Sequence, residues 1–392
     1  MLTKLTVKFI LLAQARTDLV LCVKNVLLFI YCYVWYNFFI MEEKIKEIVE
    51  IFKNEATKRL VGQENLVTDI LMAFVAGGHV LLEGVPGLGK TLTVKTVAKM
   101  LGLDFKRIQF TPDLLPADIT GTLIYEQNKG VFSVRKGPVF SNIILADEIN
   151  RAPAKVQSAM LEAMEERHVT IGEKTYELPS PFFVLATQNP IEQEGTYNLP
   201  EAELDRFLMK LIVDYPSVED EMKIVKSCGN VSFEPVNQVI SSNDLNFLIS
   251  ACDKVNLDDK ILKYIVSIIN VTRPVFEKNS QFGHSLKQNS AFSNNSSLGG
   301  KFSSSSSMFV SKSSDITRAI QFGASPRAGI AMAKCSKVKA LFEGRDFVLP
   351  EDVKAVACNV LRHRIVLSYE AAADNVQPDE IILRILDLVP IP

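Results

Sequence analysis

The sequence predicts an α/β fold, a parallel β-sheet covered by helices on both faces, followed by an all-helical domain. From Met41 to about Tyr215, apolar strand-like runs alternate with helical patterns, which is typical of a parallel sheet. From Ser217 onward, apolar residues recur at spacings of three and four, as in amphipathic helices. A glycine-rich motif directly follows the first clear strand. We therefore expect a core over residues 41–215 and a helical domain over residues 216–392.

Residues 1–40 differ in composition from the rest of the chain. They contain no Glu, the single Trp (Trp35) and an apolar run from Val26 to Tyr36. The run is shorter than the roughly 20 apolar residues that a membrane-spanning helix needs. Met41 then opens an amphipathic helical pattern. We expect the functional protein to begin near Met41, and a weak membrane anchor within residues 19–40 is the alternative.

The first strand of the core, His79–Glu83, leads into the motif Gly84-Val85-Pro86-Gly87-Leu88-Gly89-Lys90-Thr91. This string fits the phosphate-binding P-loop, in which glycines let backbone N–H groups approach an anion closely. Lys90 is predicted to reach the β- and γ-phosphates, and the Thr91 hydroxyl to hold Mg²⁺. A chance glycine-rich turn is the alternative. The preceding strand and the helix after Thr91 favour a nucleoside triphosphate site instead.

The second strand, Ile143–Ala146, ends in the carboxylates Asp147 and Glu148. In a P-loop protein Asp147 would hold Mg²⁺ through water, and Glu148 would orient and deprotonate the attacking water. Taken alone, the dipeptide fits a solvated Asp-Glu pair after a core strand. Downstream of an intact P-loop, it favours hydrolysis of the nucleotide over simple binding.

The third strand, Phe182–Ala186, is followed by polar residues that end in Asn189. An amide at this point is suited to position water between the two carboxylates and the γ-phosphate. An Asn189-Pro190 turn is the better interpretation of the dipeptide alone. The order of P-loop, Asp-Glu strand and Asn-tipped strand favours a role in the site.

The second half of the chain has six strong helical patterns, at Asp220–Ser227, Leu245–Cys252, Ile261–Val271, Arg327–Leu341, Glu351–Leu361 and Asp379–Leu388. One segment interrupts them. Residues 279–314 contain 14 serines and four asparagines, a composition that buries too little apolar surface to offset the entropy of ordering. We expect this insertion to be a disordered surface loop. A regulated or adhesive tract is the alternative.

Charge and cysteine usage exclude several classes of protein. The net charge of −2 gives no basic excess for a nucleic-acid groove. The six cysteines are scattered, and none forms a C-x-x-C pair. A disulfide framework or zinc site is therefore not expected, and reduced thiols in a cytoplasmic protein are the simpler interpretation.

Several longer strings resemble the AAA+ ATPases, and closely the MoxR family. The resemblance covers about Met41 to Pro392, apart from the Ser-rich insertion. The strings are Val61–Glu64, Thr111–Pro116, Asp118–Gly121, Asp147–Ala152, Gln157–Glu166, Ala186–Pro190, Leu204–Phe207 and Gly323–Arg327. The resemblance implies an αβα sandwich with a C-terminal helical lid, and ATP with Mg²⁺ as cofactors.

The resemblance also implies roles for single residues. Gly62 and Gln63 match the segment that lines the adenine pocket, and Asn189 matches the residue called sensor 1. Arg327 matches sensor 2, an arginine that reaches from the lid to the γ-phosphate of the same subunit. Arg206 matches the arginine finger, which enters the site of a neighbouring subunit.

For Arg206 the alternative is a surface salt bridge, for instance to Asp205 or Glu203, and Arg151 is a second candidate for the interface arginine. Two further segments match family features that point towards the ring pore in the resembling proteins. These are Ile124–Val134, the helix-2 insertion, and Val169–Leu178, the pre-sensor hairpin.

The resemblance implies a homo-oligomeric ring, usually a hexamer, with ATP between subunits. Similar proteins remodel or mature partner proteins, including metalloenzymes and partners with von Willebrand A domains. A nucleic-acid motor and a nucleotide-gated scaffold are the two alternatives. The near-neutral charge counts against the first, and intact Asp147 and Glu148 count against the second.

Overall fold

The computed structural model describes residues 42–128, 130–190, 195–229, 235–274, 316 and 318–392. The predicted N-terminal extension, residues 1–40, and the predicted insertion, residues 279–314, lie outside the described residues. In the part of the chain that is described, no helix has the length and apolar character needed to cross a membrane.

The helices and strands follow the predicted succession. In chain order the helices are α1 (residues 42–57), α2 (Glu64–Val75), α3 (Lys90–Leu101), α4 (Pro116–Thr120), α5 (Ala154–Glu166), α6 (Glu201–Leu204), α7 (Val218–Gly229), α8 (Ser242–Lys254), α9 (Asp259–Thr272), α10 (Pro326–Phe342), α11 (Pro350–Leu361), α12 (Tyr369–Ala373) and α13 (Pro378–Leu388). The strands are β1 (Val80–Glu83), β2 (Phe105–Gln109), β3 (Gly121–Glu126), β4 (Val131–Lys136), β5 (Ile143–Asp147), β6 (His168–Ile171), β7 (Lys174–Glu177), β8 (Phe183–Gln188), β9 (Met209–Ile212), β10 (Ile320–Phe322) and β11 (Val366–Leu367).

A five-stranded parallel sheet forms the centre of the first domain, with the strand order β2-β5-β8-β1-β9. Its central strands are continuous apolar runs because they are covered on both faces. Val80 and Leu82 of β1 point into one hydrophobic core, and Leu81 between them points into the other. The predicted α/β sandwich with a parallel sheet is confirmed.

The predicted C-terminal helical lid is also confirmed, and it shares a core with the first domain. Buried residues of α8 to α11 and α13 belong to the same apolar cluster as α1 to α3 and one face of the sheet. The lid additionally contains a short antiparallel ribbon of β10 and β11, which the helical patterns did not predict. Because the core is continuous, the lid is packed against the sheet domain and not merely tethered to it.

A buried ion pair fastens the lid to the segment that precedes β9. The Arg364 guanidinium, whose side chain is 3% exposed, donates through Nε to Asp205 Oδ1 at 2.7 Å. Its Nη1 also donates to the Leu208 carbonyl at 3.1 Å. The other carboxylate oxygen of Asp205 accepts from Ser325 Oγ at 2.7 Å. Asp205 therefore pairs with the lid, and the partly exposed salt bridge that Arg206 makes is with Glu165 and not with Asp205.

Replacing Arg364 with Met is expected to lower the free energy of unfolding by about 3–5 kcal/mol, because removal of one partner leaves the other charge poorly solvated. Urea denaturation of the full chain measures the change. Arg384→Met, at an exposed position on α13, is the matched control and should shift the free energy by less than about 0.5 kcal/mol. Equal stability of the two variants would contradict this role for the Asp205–Arg364 pair.

Two β-hairpins project from the sheet domain. The β3–β4 hairpin contains Ile124–Val134, and the β6–β7 hairpin contains most of Val169–Leu178. Both segments that were matched to family features thus form antiparallel hairpins. On the first hairpin the rings of Tyr125 and Phe132 lie 5.1 Å apart and are 52% and 68% exposed.

Candidate active site

The glycine-rich loop connects β1 to the start of α3 at the carboxyl end of the sheet. Gly87 and Gly89 adopt φ angles of 89° and 75°, in the left-handed region that favours glycine. Gly84 is required for a different reason, because a Cβ at this position would lie 2.8 Å from the Val213 carbonyl oxygen. The loop thus has the backbone freedom and the close packing that a phosphate cradle at a helix N-terminus needs.

Gln63 braces this loop from the start of α2. Its Nε2 donates to the Leu88 carbonyl at 3.1 Å, and its Oε1 accepts from Thr93 Oγ1 at 2.6 Å. Gly62, with φ of 72°, packs against the Asp220 carboxylate of α7. The Gly62–Gln63 segment therefore lies against the P-loop, and its contact with adenine stays a prediction.

Lys90 places its ammonium group where two central strands end. Its Nζ donates to the carbonyl of Gly84 and, at 3.3 Å, to the carbonyl of Gln188. Burial lowers the pKa of Lys90, while the nearby carboxylates of Asp147 and Glu148 oppose that shift. A half-buried cation beside the glycine loop is suited to meet phosphate oxygens.

Asp147 is buried at the end of β5, beside the first turn of α3. Its Oδ1 accepts from Thr187 Oγ1 at 2.7 Å, and its Oδ2 lies 3.4 Å from the Thr91 hydroxyl. Mg²⁺ sites in phosphate-binding proteins use one or two protein oxygens and complete the shell with water and phosphate. Thr91 and Asp147 together offer that donor set.

Glu148 leaves the strand in an unusual conformation. Its φ is 58°, a left-handed conformation that costs a non-glycine residue on the order of 1–3 kcal/mol and is found most often at functional sites. Its Oε2 accepts from Gln109 Nε2 at 2.9 Å and lies 3.1 Å from Arg151 Nε. Arg151, the second candidate for an interface arginine, thus contacts Glu148 of its own chain.

Asn189 follows directly on β8 and is buried, with 4% of its surface exposed. The residue before it, Gln188, accepts a hydrogen bond from Lys90 through its carbonyl. The end of β8 lies between β1 and β5 in the sheet. Asn189 is therefore close to the P-loop and to the carboxylates, as the order of the motifs predicted.

Two further residues, on β2, contact the carboxylates. Arg107 donates to Asp147 Oδ2 through Nε at 2.9 Å and through Nη2 at 2.7 Å. Gln109, the donor to Glu148, lies directly opposite Asp147 in the β2–β5 register. In the sequence, the signal for this pair was its spacing: Arg107 and Gln109 are two positions apart, and polar residues at that spacing share one face of a strand. The sequence did not reveal that β2 is the neighbour of β5.

Arg206 and Arg327 share one carboxylate, that of Glu165 near the end of α5. Arg327 Nη2 lies 2.6 Å from Glu165 Oε1, and Arg206 Nε lies 3.1 Å from Glu165 Oε2. A cavity of about 240 Å³ beside them is also lined by Arg167, Lys334 and Arg364. We call these five cationic residues with Glu165 the arginine cluster.

The arginine cluster lies at the opposite end of the sheet from the P-loop. Its cavity is lined by Gly78 and His79, which precede β1, and by Leu208, which precedes β9. The four residues of β1, about 13 Å of extended chain, separate these positions from the glycine loop. Arg327 thus does not lie where an arginine that reaches the phosphates of its own chain would lie.

The lid attachment explains this position. Ser325 caps the start of α10 and donates to Asp205 at 2.7 Å, so that Arg327 begins its helix next to Arg206. The Arg364–Asp205 pair holds the same segment from the other side. Packing of the lid against the amino end of the sheet therefore brings together two arginines that are far apart in sequence.

Sequence profiles match both domains. Residues 79–209 match the ATPase family associated with various cellular activities (AAA), and residues 312–385 match an AAA lid domain. Both matches agree with the sandwich and the lid described above.

Individual relatives extend the similarity over most of the chain. Chaperone MoxR1 of Mycobacterium tuberculosis is 45% identical over 338 residues, 86% of this chain and 81% of that protein. Protein MoxR of Methylorubrum extorquens is 30% identical over 87% of this chain and 94% of its own length. The crystal structure of a putative ATPase from Cytophaga hutchinsonii has a TM-score of 0.75 and 44% identity, and it covers 90% of this chain and 97% of its own.

Proposed function

The chain belongs to the MoxR family of AAA+ ATPases, and on that premise we propose that it is a Mg²⁺-dependent ATP hydrolase that works as a homo-oligomeric ring. One observation carries the proposal. Lys90, Thr91, Asp147 and Glu148 meet at the carboxyl edge of one parallel sheet, beside a loop whose glycines adopt left-handed φ angles. The site therefore contains a cation for the phosphates, oxygen ligands for the metal ion and a base that can activate water.

Each residue has a separate part in the proposed reaction. The backbone N–H groups of the P-loop and the Lys90 ammonium bind the phosphates of ATP. Thr91 and Asp147 would hold Mg²⁺, which would neutralise negative charge on the phosphates when bound. Glu148 takes a proton from the attacking water, and Asn189 orients that water. The hydrogen bond from Gln109 holds the Glu148 carboxylate in the orientation in which it accepts this proton.

We propose that both Arg206 and Arg327 act on the ATP of a neighbouring subunit. The support is their shared position on Glu165, at the end of the sheet away from their own P-loop. In a head-to-tail ring, the arginine cluster of one subunit faces the nucleotide site of the next. A hexamer is the assembly we propose, because family members usually form one.

The proposed client is a protein, and the hairpin β3–β4 is the surface we propose for contact with it. The exposed rings of Tyr125 and Phe132 give that hairpin an apolar tip. One close relative is named a chaperone, which supports remodelling or maturation of partner proteins. Partners with von Willebrand A domains and metalloenzymes are the client classes we propose.

The test is ATP turnover by the purified full chain. We expect hydrolysis that needs Mg²⁺ and is abolished by a chelator. Lys90→Ala should weaken ATP binding by about 10- to 100-fold, because hydrogen bonds from a charged donor contribute about 1.5–3 kcal/mol. Lys95→Ala, at an exposed position on the same helix, is the matched control. Turnover that resists the chelator, or an affinity for ATP that Lys90→Ala leaves unchanged, would exclude the proposed site.

A further inference from the structure

The lid carries an open apolar groove of about 640 Å³ between α8, α9 and α10. Its walls include Leu262, Val266 and Ile330, which are 44%, 47% and 59% exposed. Large aliphatic side chains concentrated in one concave surface indicate a contact site for another molecule or segment. The charged residues of the groove are Arg273, Lys334, Lys337 and Asp253. Three cations to one carboxylate make the groove complementary to an acidic, apolar partner.

Helix α7 of the same chain has that chemistry. Val218, Met222 and Val225 are spaced by four and three residues, so they form one stripe along the helix. They are 70%, 52% and 66% exposed, so the stripe faces away from its own chain. Three carboxylates lie in the first turn of the helix, and the exposed Lys223 and Lys226 follow them, so α7 has a net charge of −1 with its acidic residues at the N-terminal end.

The dimensions of the two surfaces agree. The groove is lined from Leu262 on α9 to Arg273, which directly follows that helix, and from Pro326 to Lys337 on α10. At 1.5 Å per residue each wall is about 16 Å long. The stripe from Val218 to Val225 extends about 10 Å on the same scale. Two turns of α7 therefore fit within the length of the groove.

The surroundings of the two surfaces decide which copy of α7 would bind. The groove continues into the arginine cluster, since Gly77, Ile330 and Lys334 line both cavities. Helix α7 instead adjoins the P-loop region, because Asp220 packs against Gly62. The two surfaces thus lie towards opposite ends of the sheet, so the stripe and the groove of one chain do not face each other.

We propose that α7 of one subunit docks into the lid groove of its neighbour. The inference rests on the proposed head-to-tail ring and specifies the contact that builds it. The arginine cluster adjoins the groove, and the P-loop adjoins α7. Docking would therefore bring the arginine cluster of one subunit close to the P-loop of the other. One contact would then both assemble the ring and complete each ATP site with arginines from the adjacent chain.

The test uses one Asp substitution on each surface of the full-length chain. Met222→Asp disrupts the stripe, and Val266→Asp disrupts the groove; both positions are exposed, so neither change removes core packing. Each places a charge in an apolar contact, which is unfavourable unless that charge is paired. We expect self-association to weaken by more than about tenfold for each variant alone, measured by sedimentation velocity with ATP and Mg²⁺. Leu383→Asp, on the exposed face of α13 outside the groove, should assemble like the wild type.

Mixing the two variants gives the decisive result. Each mixed pair has one intact stripe and one intact groove, so equal amounts should form a dimer of twice the 43.6 kDa chain mass that grows no further. Val225→Asp and Leu262→Asp should behave in the same way. Circular dichroism and ATP binding of every variant establish that it is folded.

Two results would overturn the docking: variants that assemble like the wild type, or a mixture that contains only monomers. A wild-type chain that stays monomeric with ATP and Mg²⁺ would overturn it as well. Failure of the proposed function is distinguishable, because sedimentation does not require hydrolysis. A chain that assembles, and whose variants pair as described, but does not hydrolyse ATP, would retain the docking and lose the ATPase assignment.

Discussion

Arg206→Ala is expected to lower ATP turnover by about 10³- to 10⁵-fold, the effect of removing an arginine from the transition state of phosphoryl transfer. ATP binding should change little, since Arg206 lies at the end of the sheet opposite its own P-loop. Stability should also change little, because the pair with Glu165 is about one-third exposed on both sides. Steady-state turnover and nucleotide binding measure the two effects separately. Arg384→Ala, an exposed arginine on α13, is the control.

Mixed assemblies test whether Arg206 acts on the neighbouring chain. Arg206→Ala chains keep an intact nucleotide site, and Lys90→Ala chains keep intact arginines. Where an Arg206→Ala site faces the arginine cluster of a Lys90→Ala subunit, the interface is complete, so part of the activity should return. Absence of rescue in assemblies shown to contain both chains would count against action between subunits. Arg327→Ala should behave like Arg206→Ala in the same mixture, since both arginines share Glu165.

Glu148→Gln is expected to lower the turnover number by about 10²- to 10⁴-fold, the contribution of a positioned general base. The amide has nearly the same shape as the carboxylate but cannot accept the proton of water at neutral pH. Lys90, Thr91 and Asp147 are unchanged, so ATP should still bind. A fall in turnover without a rise in KM identifies a loss confined to the transition state.

The control for this variant is Glu162→Gln, at an exposed position on α5. Wild-type turnover in Glu148→Gln would show that another group activates water. The bound but slowly hydrolysing Glu148→Gln chain is also the form best suited to retain a protein client, and the proteins that co-purify with it would identify that client.

The candidate nucleotide site at the carboxyl edge of the sheet was predictable because its parts are local in sequence. The P-loop lies between a strand and a helix that immediately adjoin it, and Asp147 and Glu148 are attached to the end of a buried strand. Parallel strands bring their carboxyl ends to one edge, so these motifs meet once the α/β pattern is recognised. The helical lid was predictable for a similar reason, because apolar residues spaced by three and four positions are also a local pattern.

What only the tertiary structure decided depends on contacts between segments far apart in the chain. The place of β2 beside β5 brings Arg107 and Gln109 onto the carboxylates, and no local pattern encodes strand order. Because the lid is attached through Asp205, Arg327 lies beside Arg206 and away from its own nucleotide site. Motif spacing specifies chemistry within a few residues of chain. Burial and pairing in the folded core decide which distant segments face one another.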